Sequence, residues 1–162
     1  MELITHITVP EGYIWDERTI VREACRAVIF DEKNMIPLVF ASKEKYHKLP
    51  GGGIDPDEDK ITALQRELLE ESWCEAEITK EIGITIESNS TRKQTSYCYI
   101  GRVIKKSKPN FTDGEKEKWY ELQRVTIDEA ITLIQSEKRE HETAKRIQQR
   151  DLAILNKAKE MI

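Results

Sequence analysis

Glu67, Glu70 and Glu71 stand three and four positions apart in the segment LQRELLEESWC, and Gly51-Gly52-Gly53 lies just upstream. On a helix, residues at that spacing share one face, so three carboxylates enter a common volume. Like charges gathered in this way cost stability unless a cation sits among them. Clustered carboxylate oxygens are hard ligands, which suits Mg²⁺ or Mn²⁺ better than a soft metal, and such ions in turn suit phosphate. Three glycines permit backbone conformations and close approaches that side chains would block. A solvated helix laced with local ion pairs would account for Arg66 and Glu58, but not for Leu49-Pro50-Gly51-Gly52-Gly53 ahead of it.

The elements that position these groups follow from spacing. Asp59 is the expected N-cap of the glutamate helix, its carboxylate accepting from first-turn amides. Ile61, Leu64 and Leu68 form the expected buried stripe, which turns the glutamates towards a cleft. Upstream, Val21–Phe30 and Met35–Ser42 read as strands joined by the polar turn Asp31-Glu32-Lys33-Asn34, and so as a hairpin. Downstream, Ala76–Ile86 and Gln94–Ile104 read as strands on alternation and on β-branched and aromatic content. The polar stretch from Lys105 to Lys118 is longer than joining two strands requires, so it is expected to order on substrate binding; Trp119–Val125 follows as a further strand. Thr126-Ile127-Asp128-Glu129 is a capping box opening a helix over about 127–137, and a second helix fills about 140–161. The first sixteen residues have no clear assignment.

At 162 residues the chain has the size of a single domain spanning 1–162 and can bury its own core. Apolar residues make up 38% and charged residues 35%, too patterned for disorder, and strands interleaved with helices indicate a layered α/β fold. A net charge of −4 gives no global case for nucleic-acid or membrane binding. The N-terminus lacks the features of a secretory signal, no apolar run is long enough to span a bilayer, and a cytoplasmic location is expected. Cys25, Cys74 and Cys98 are odd in number and widely spaced, which reads as reduced core thiols.

The segment resembles the Nudix box, G-x5-E-x7-R-E-U-x-E-E-x-G-U with U aliphatic. Gly52, Glu58, Arg66, Glu67, Leu68, Glu70 and Glu71 fall at the required spacings, with Cys74 as a small apolar stand-in at the end. Trp73 departs from the pattern, replacing its final glycine. The resemblance implies an α/β/α sandwich with a mixed β-sheet and a divalent-metal-dependent hydrolase cutting a diphosphate linkage in a nucleoside diphosphate derivative. It implies Glu67, Glu70 and Glu71 as ligands of Mg²⁺ or Mn²⁺, with a carbonyl of Gly51 or Gly52. Arg66 becomes a brace pairing with Glu58. The general base is implied to be Glu70 or Glu71, or a residue on a later loop, where Glu115, Glu117 and Glu121 are available.

Substrate contacts are expected from the glycine loop at Gly52 and Gly53 and from Lys43, Lys45 or Lys48 just upstream, where an ammonium could hold a phosphate oxygen. Tyr46, Tyr97, Tyr99 and Trp119 could stack a base, although aromatics in strands are more often core. A proline or a tyrosine that marks two family subgroups is absent; Ser90, Thr91 and Arg92 stand there. Nucleoside triphosphates, including oxidised ones, are therefore favoured as the small-molecule nucleotide substrate. The alternatives are a catalytically silent nucleotide-binding domain and a diphosphate-isoprenoid isomerase; the first would have lost box glutamates and the second needs a catalytic cysteine. Homodimerisation is left open. Trp73 is expected to end its helix at negative φ, its ring packed on the neighbouring strand, so that Trp73→Gly would destabilise the fold.

Overall fold

The computed structural model describes residues 1–8, 16–107 and 120–162, and for Tyr120 and Glu121 the backbone only. Glu115, Glu117, Trp119 and most of the polar loop expected to order with substrate lie outside the described residues, as does the side chain of Glu121. In chain order the elements are β1 (Leu3–Thr8), β2 (Ile20–Phe30), β3 (Ile36–Ala41), β4 (Tyr46–Lys48), α1 (Lys60–Ser72), β5 (Cys74–Ser88), β6 (Arg92–Lys106), β7 (Tyr120–Val125), α2 (Ile127–Ser136) and α3 (Glu142–Glu160). The larger sheet is mixed, in the order β1-β5-β6-β2, and a smaller antiparallel sheet has the order β4-β3-β7.

The alternation within β2 and β6 explains the layers. Cys25, Ala27 and Ile29 of β2 and Tyr99 of β6 pack with Ala63, Leu64 and Leu68 of α1. The intervening Val28, Phe30, Cys98 and Ile100 pack against Ala130 and Ile134 of α2 and Ile154, Leu155 and Ala158 of α3. Successive strand residues point to opposite faces, so strands covered on both sides must be apolar at both phases. This is the expected α/β/α sandwich. Among the described residues, no helix is long and apolar enough to cross a membrane.

β2 and β3 do not form the expected hairpin. Asp31 does make the turn, accepting from the amides of Lys33 at 2.9 Å and Met35 at 3.0 Å. β3 nevertheless leaves for the second sheet, because both edges of β2 are taken. β6 pairs along the whole of one edge, and on the other the amides of Cys25 and Ala27 donate to the carbonyls of Gly52 and Pro50.

α1 begins as expected, with Asp59 Oδ1 accepting from the amides of Ile61 at 3.0 Å and Thr62 at 3.1 Å. Ile61 is not part of the buried stripe: it is 41% exposed, and Ala63 takes its place beside Leu64 and Leu68. The helix end also differs from expectation. Trp73 is left-handed, with φ 54° and ψ 29°, and its amide closes the helix on the Leu69 carbonyl at 3.2 Å. Its own carbonyl accepts from the Ser107 amide at 2.7 Å, so the peptide is held from both sides. The indole is only half-buried and joins neither apolar cluster, so core packing did not override the glycine-like backbone the helix end demands. α2 has its capping box, Thr126 Oγ1 accepting from the Glu129 amide and Glu129 Oε2 from the Thr126 amide.

A left-handed non-glycine residue costs about 1 kcal/mol or more. Trp73→Gly and Trp73→Ala lose the same indole, but only glycine relieves the backbone. The glycine variant should therefore be the more stable of the two by about 1 kcal/mol, or about 2–4 °C in Tm for a chain of this size, as read by thermal melts. Equal melting points would mean the turn is unstrained.

Candidate active site

The glycine segment is fixed before the glutamates enter. At the end of β4, the amide of the fully buried Leu49 donates to Asp151 Oδ2 of α3 at 2.9 Å. Asp151 also accepts from Arg150 Nε at 2.8 Å, and Arg150 Nη1 donates to Glu87 Oε2 of β5 at 3.2 Å. Burial alone would push the Arg150 guanidinium down, but Asp151 and Glu87 more than offset it and hold it above its usual range. Past Leu49 the chain runs antiparallel along the edge of β2: the Cys25 amide donates to Gly52 at 2.9 Å and the Ile54 amide to Glu23 at 3.1 Å.

Two glycines are required by this path. Gly51 has φ +134°, and a Cβ on it would lie 2.2 Å from the Cys25 carbonyl oxygen. A Cβ on Gly52 would lie 2.2 Å from Cδ of Glu67. The space that glycine leaves empty at 52 is where the Glu67 carboxylate rests.

Arg66 ties this loop to the helix. Its Nε and Nη2 grip both oxygens of Glu58, at 3.0 and 2.8 Å, in the fork geometry suited to a guanidinium. Nη1 donates to Glu67 Oε1 at 2.7 Å and Nη2 to the Gly53 carbonyl at 3.1 Å, while Glu70 Oε2 lies 3.6 Å from Nη1. Arg66 is thus the brace the sequence suggested. These bonds hold the Glu58 carboxyl below its usual range and the Arg66 guanidinium above its own. Glu71 is held separately: Lys48 Nζ is 2.8 Å from Oε1, and the Gly51 amide donates to Oε2 at 2.9 Å.

Of the expected site residues, Glu58, Glu67, Glu70 and Gly53 gather on Arg66, Lys48 and Gly51 gather on Glu71, and the glycine segment joins the two groups, with Glu67 seated on Gly52. Lys48 reaches a glutamate, whereas Lys43 and Lys45 sit exposed in the turn between β3 and β4. Glu67 and Glu71 are nearly covered, at 14% and 15% side-chain exposure, while Glu70 is 53% exposed. Among the described residues, no three carboxylate, imidazole or thiolate groups converge closely enough to hold an ion alone. The donor chemistry nonetheless fits Mg²⁺ or Mn²⁺: the oxygens are hard, and Mg²⁺ uses one or two carboxylates and completes its shell with water and phosphate oxygens. The Gly52 carbonyl already accepts the Cys25 amide at 2.9 Å and the Cys25 thiol at 3.7 Å, so both of its lone pairs are engaged.

The aromatics fall to structural roles. Tyr99 is core, Tyr97 bonds Glu23 and lies under Lys60, and Tyr46 lies under Arg139. The three cysteines are buried and unbridged. Burial pushes the Cys25 thiol up and that of Cys98 up to about 12, so neither is a thiolate at neutral pH. An isomerase that depends on a cysteine nucleophile is disfavoured on this ground. Sequence reading missed Arg150, Asp151 and Glu87. The available signal was a charged pair at 150 and 151 within the apolar stripe of Ile147, Ile154 and Leu155.

A family model described as the NUDIX domain matches residues 21–148. Over 124 residues the chain is 27% identical to a human protein named diphosphoinositol polyphosphate phosphohydrolase NUDT4B, a match spanning 74% of this chain and 65% of that protein. It is 26% identical over 124 residues to the bovine diphosphoinositol polyphosphate phosphohydrolase 3-beta, covering 74% of this chain and 72% of the relative. Among solved structures it resembles the E. coli ORF135 protein with a TM-score of 0.61 at 18% identity, covering 88% of this chain and 91% of that one. It also resembles a MutT protein from Methanosarcina mazei Go1 with a TM-score of 0.59 at 19% identity, covering 83% and 95% of the two chains.

Gly52→Ala should displace the Glu67 carboxylate without unfolding the protein. Turnover is expected to fall by about a hundredfold, as small misplacements at a reacting centre do, while the circular dichroism spectrum stays that of the parent. Full activity in this variant would show that the seat is not needed. The Glu58–Arg66 brace also predicts a pH dependence. Because the folded-state pKa of Glu58 is lowered, its stabilisation is complete above the ordinary value of 4.5 and is lost as pH falls through the lower folded value. The parent's Tm should therefore drop more steeply below pH 4.5 than that of Glu58→Gln, and parallel curves would contradict the brace.

Proposed function

The chain belongs to the NUDIX domain family, and on that premise we propose that it is a divalent-metal-dependent pyrophosphohydrolase cleaving a diphosphate linkage. The observation that carries this reading is the seating of Glu67 against Gly52, with Glu70 and Glu71 on the same helical face and Arg66 and Lys48 as their counter-ions. Anionic oxygens on a diphosphate repel a nucleophile, so the site must neutralise them and position a water. A divalent ion held by Glu67, Glu70 and Glu71 with a glycine carbonyl would supply charge neutralisation and an acidified water.

The chain's own residues do the rest. Arg66 keeps Glu67 against the glycine loop and fixes loop to helix. Lys48, which neutralises Glu71, is placed to contact a phosphate oxygen once Glu71 is engaged elsewhere. Glu70 is the most exposed of the three and is the candidate to take a proton from the attacking water; Glu115 and Glu117, outside the described residues, are the alternatives. The sequence favours a nucleoside diphosphate derivative as substrate, nucleoside triphosphates, oxidised ones included, ahead of the rest. A second reading, hydrolysis of a diphosphoinositol polyphosphate, is favoured by the names of the human and bovine relatives. A silent binding domain is disfavoured because every box glutamate is present.

The test is a panel of nucleotide-linked diphosphates, nucleoside triphosphates and diphosphorylated cyclitols with Mg²⁺ or Mn²⁺, with products identified and released phosphate or pyrophosphate measured. Glu70→Gln and Glu71→Gln keep shape but remove charge, so each should lower turnover at least about a hundredfold. Unchanged turnover in both would sink the assignment, as would activity that survives removal of divalent ions by EDTA.

A further inference from the structure

β2 changes character along its length. Its phase facing α3 carries Val28 and Phe30 near one end and Arg22 and Arg26 towards the other, and α3 matches it, with Ile154, Leu155 and Ala158 opposite the apolar half and Arg146 and Arg150 opposite the basic half. Where the apolar sandwich stops, a cavity of about 200 Å³ opens, lined by Arg22, Arg26, Arg92, Arg146 and Arg150. Glu87 is the one carboxylate in its lining among the described residues, and Arg150 and Gln94 already hold it. Arg22, Arg92 and Arg146 form no ion pair with a described residue; Arg146 donates only to Thr143, at 3.2 Å. Arg26 Nε is buried without a hydrogen-bond partner, and burial and then the adjacent Arg150 push the Arg26 guanidinium down.

Glu87 and Asp151 engage Arg150, but Arg22, Arg92 and Arg146 are left without a counter-ion among the described residues, so the five guanidiniums repel one another unless an anion joins them. Arginine forks match phosphate oxygens in pairs. Among the described residues the lining contains no aromatic ring and is dominated by guanidinium groups, which favour phosphate oxygens over a stacked base. The cavity also adjoins the glycine segment: Arg22 Nη2 lies 2.6 Å from where a Cβ on Gly53 would be, and the Gly53 carbonyl is held by Arg66. Arg26 follows Cys25, whose amide holds Gly52.

Resting on the hydrolase reading above, we propose that the arginine cavity binds phosphate groups of the substrate other than the scissile diphosphate. The preferred substrate is then a compact molecule bearing phosphates at several positions, rather than one recognised through a stacked base. This assigns substrate specificity to Arg22, Arg92 and Arg146, which touch none of the box glutamates.

The test reads binding, by calorimetry in EDTA, with inositol hexakisphosphate, ATP and inorganic phosphate as probes. The hexakisphosphate should bind the parent at least about tenfold more tightly than ATP, and Arg92→Gln and Arg146→Gln should each weaken it by about tenfold, the effect of losing one charge-assisted hydrogen bond. Lys105→Gln, which removes an exposed charge paired with Glu75, should leave it unchanged. Without ligand the double variant should melt no lower than the parent, because repulsion is relieved. ATP binding as tightly as the hexakisphosphate, equal binding by parent and double variant, or a double variant that unfolds would each overturn the proposal. The hexakisphosphate carries no diphosphate and no metal is present, so hydrolysis can fail while this binding stands, and the reverse.

Discussion

The guanidinium of Arg66 is the contact on which the arrangement depends. It holds two carboxylates and one backbone carbonyl at hydrogen-bond distance, and those three acceptors come from the loop after the glycines, from α1 and from Gly53. Without a planar donor of fixed fork geometry, the loop would meet the helix at no defined register, and Glu67 would have nothing to set it against Gly52. A lysine could satisfy one acceptor at a time, not the set. The brace works because the loop is itself anchored: its backbone adds to the edge of β2, and the residue ahead of it is bound to α3.

What could be read from the sequence was what repeats or has a fixed spacing. The glutamates, the glycines, the Asp59 and Thr126 caps and a layered α/β class follow from periods of 3.6 and 2 and from local bonding, and the resemblance to the Nudix box narrows the layers to an α/β/α sandwich. The expectations that failed concern competition between elements. Two adjacent strands read as a hairpin, but whether they pair depends on who else claims their edges, and β2 is claimed by β6 and by a segment some 25 residues later. At Trp73 the preference of an indole for packing gives way to the helix end, which needs a left-handed residue and accepts the strain. Spacing alone puts Ile61 in the core, but the buried stripe is made by Ala63, Leu64 and Leu68.

The same limit applies to the charged interior. Arg22 and Arg26 in VREACRAVIF alternate with apolar residues and look like the exposed phase of a half-buried strand. Only the packing of α3 across that phase shows them facing Arg146 and Arg150 around a shared cavity. A strand covered on both faces is ordinarily apolar throughout, and the departure of β2 from that rule separates the part of the sandwich that holds the fold together from the part that is left open beside the glycine loop.

The bond between the Leu49 amide and Asp151 has a consequence for synthesis. Its partners are 102 residues apart, so the amide that anchors the glycine segment waits for a carboxylate made long after it. At a translation rate of about 5–20 residues per second, that interval is about 5–20 s. Through it the nascent chain can carry β2, the glycines and α1, yet it lacks the last contact that fixes their relation. The anchoring of the glycine segment is therefore completed only when α3 leaves the ribosome and docks, so the last element made sets the final position of a loop built near the beginning.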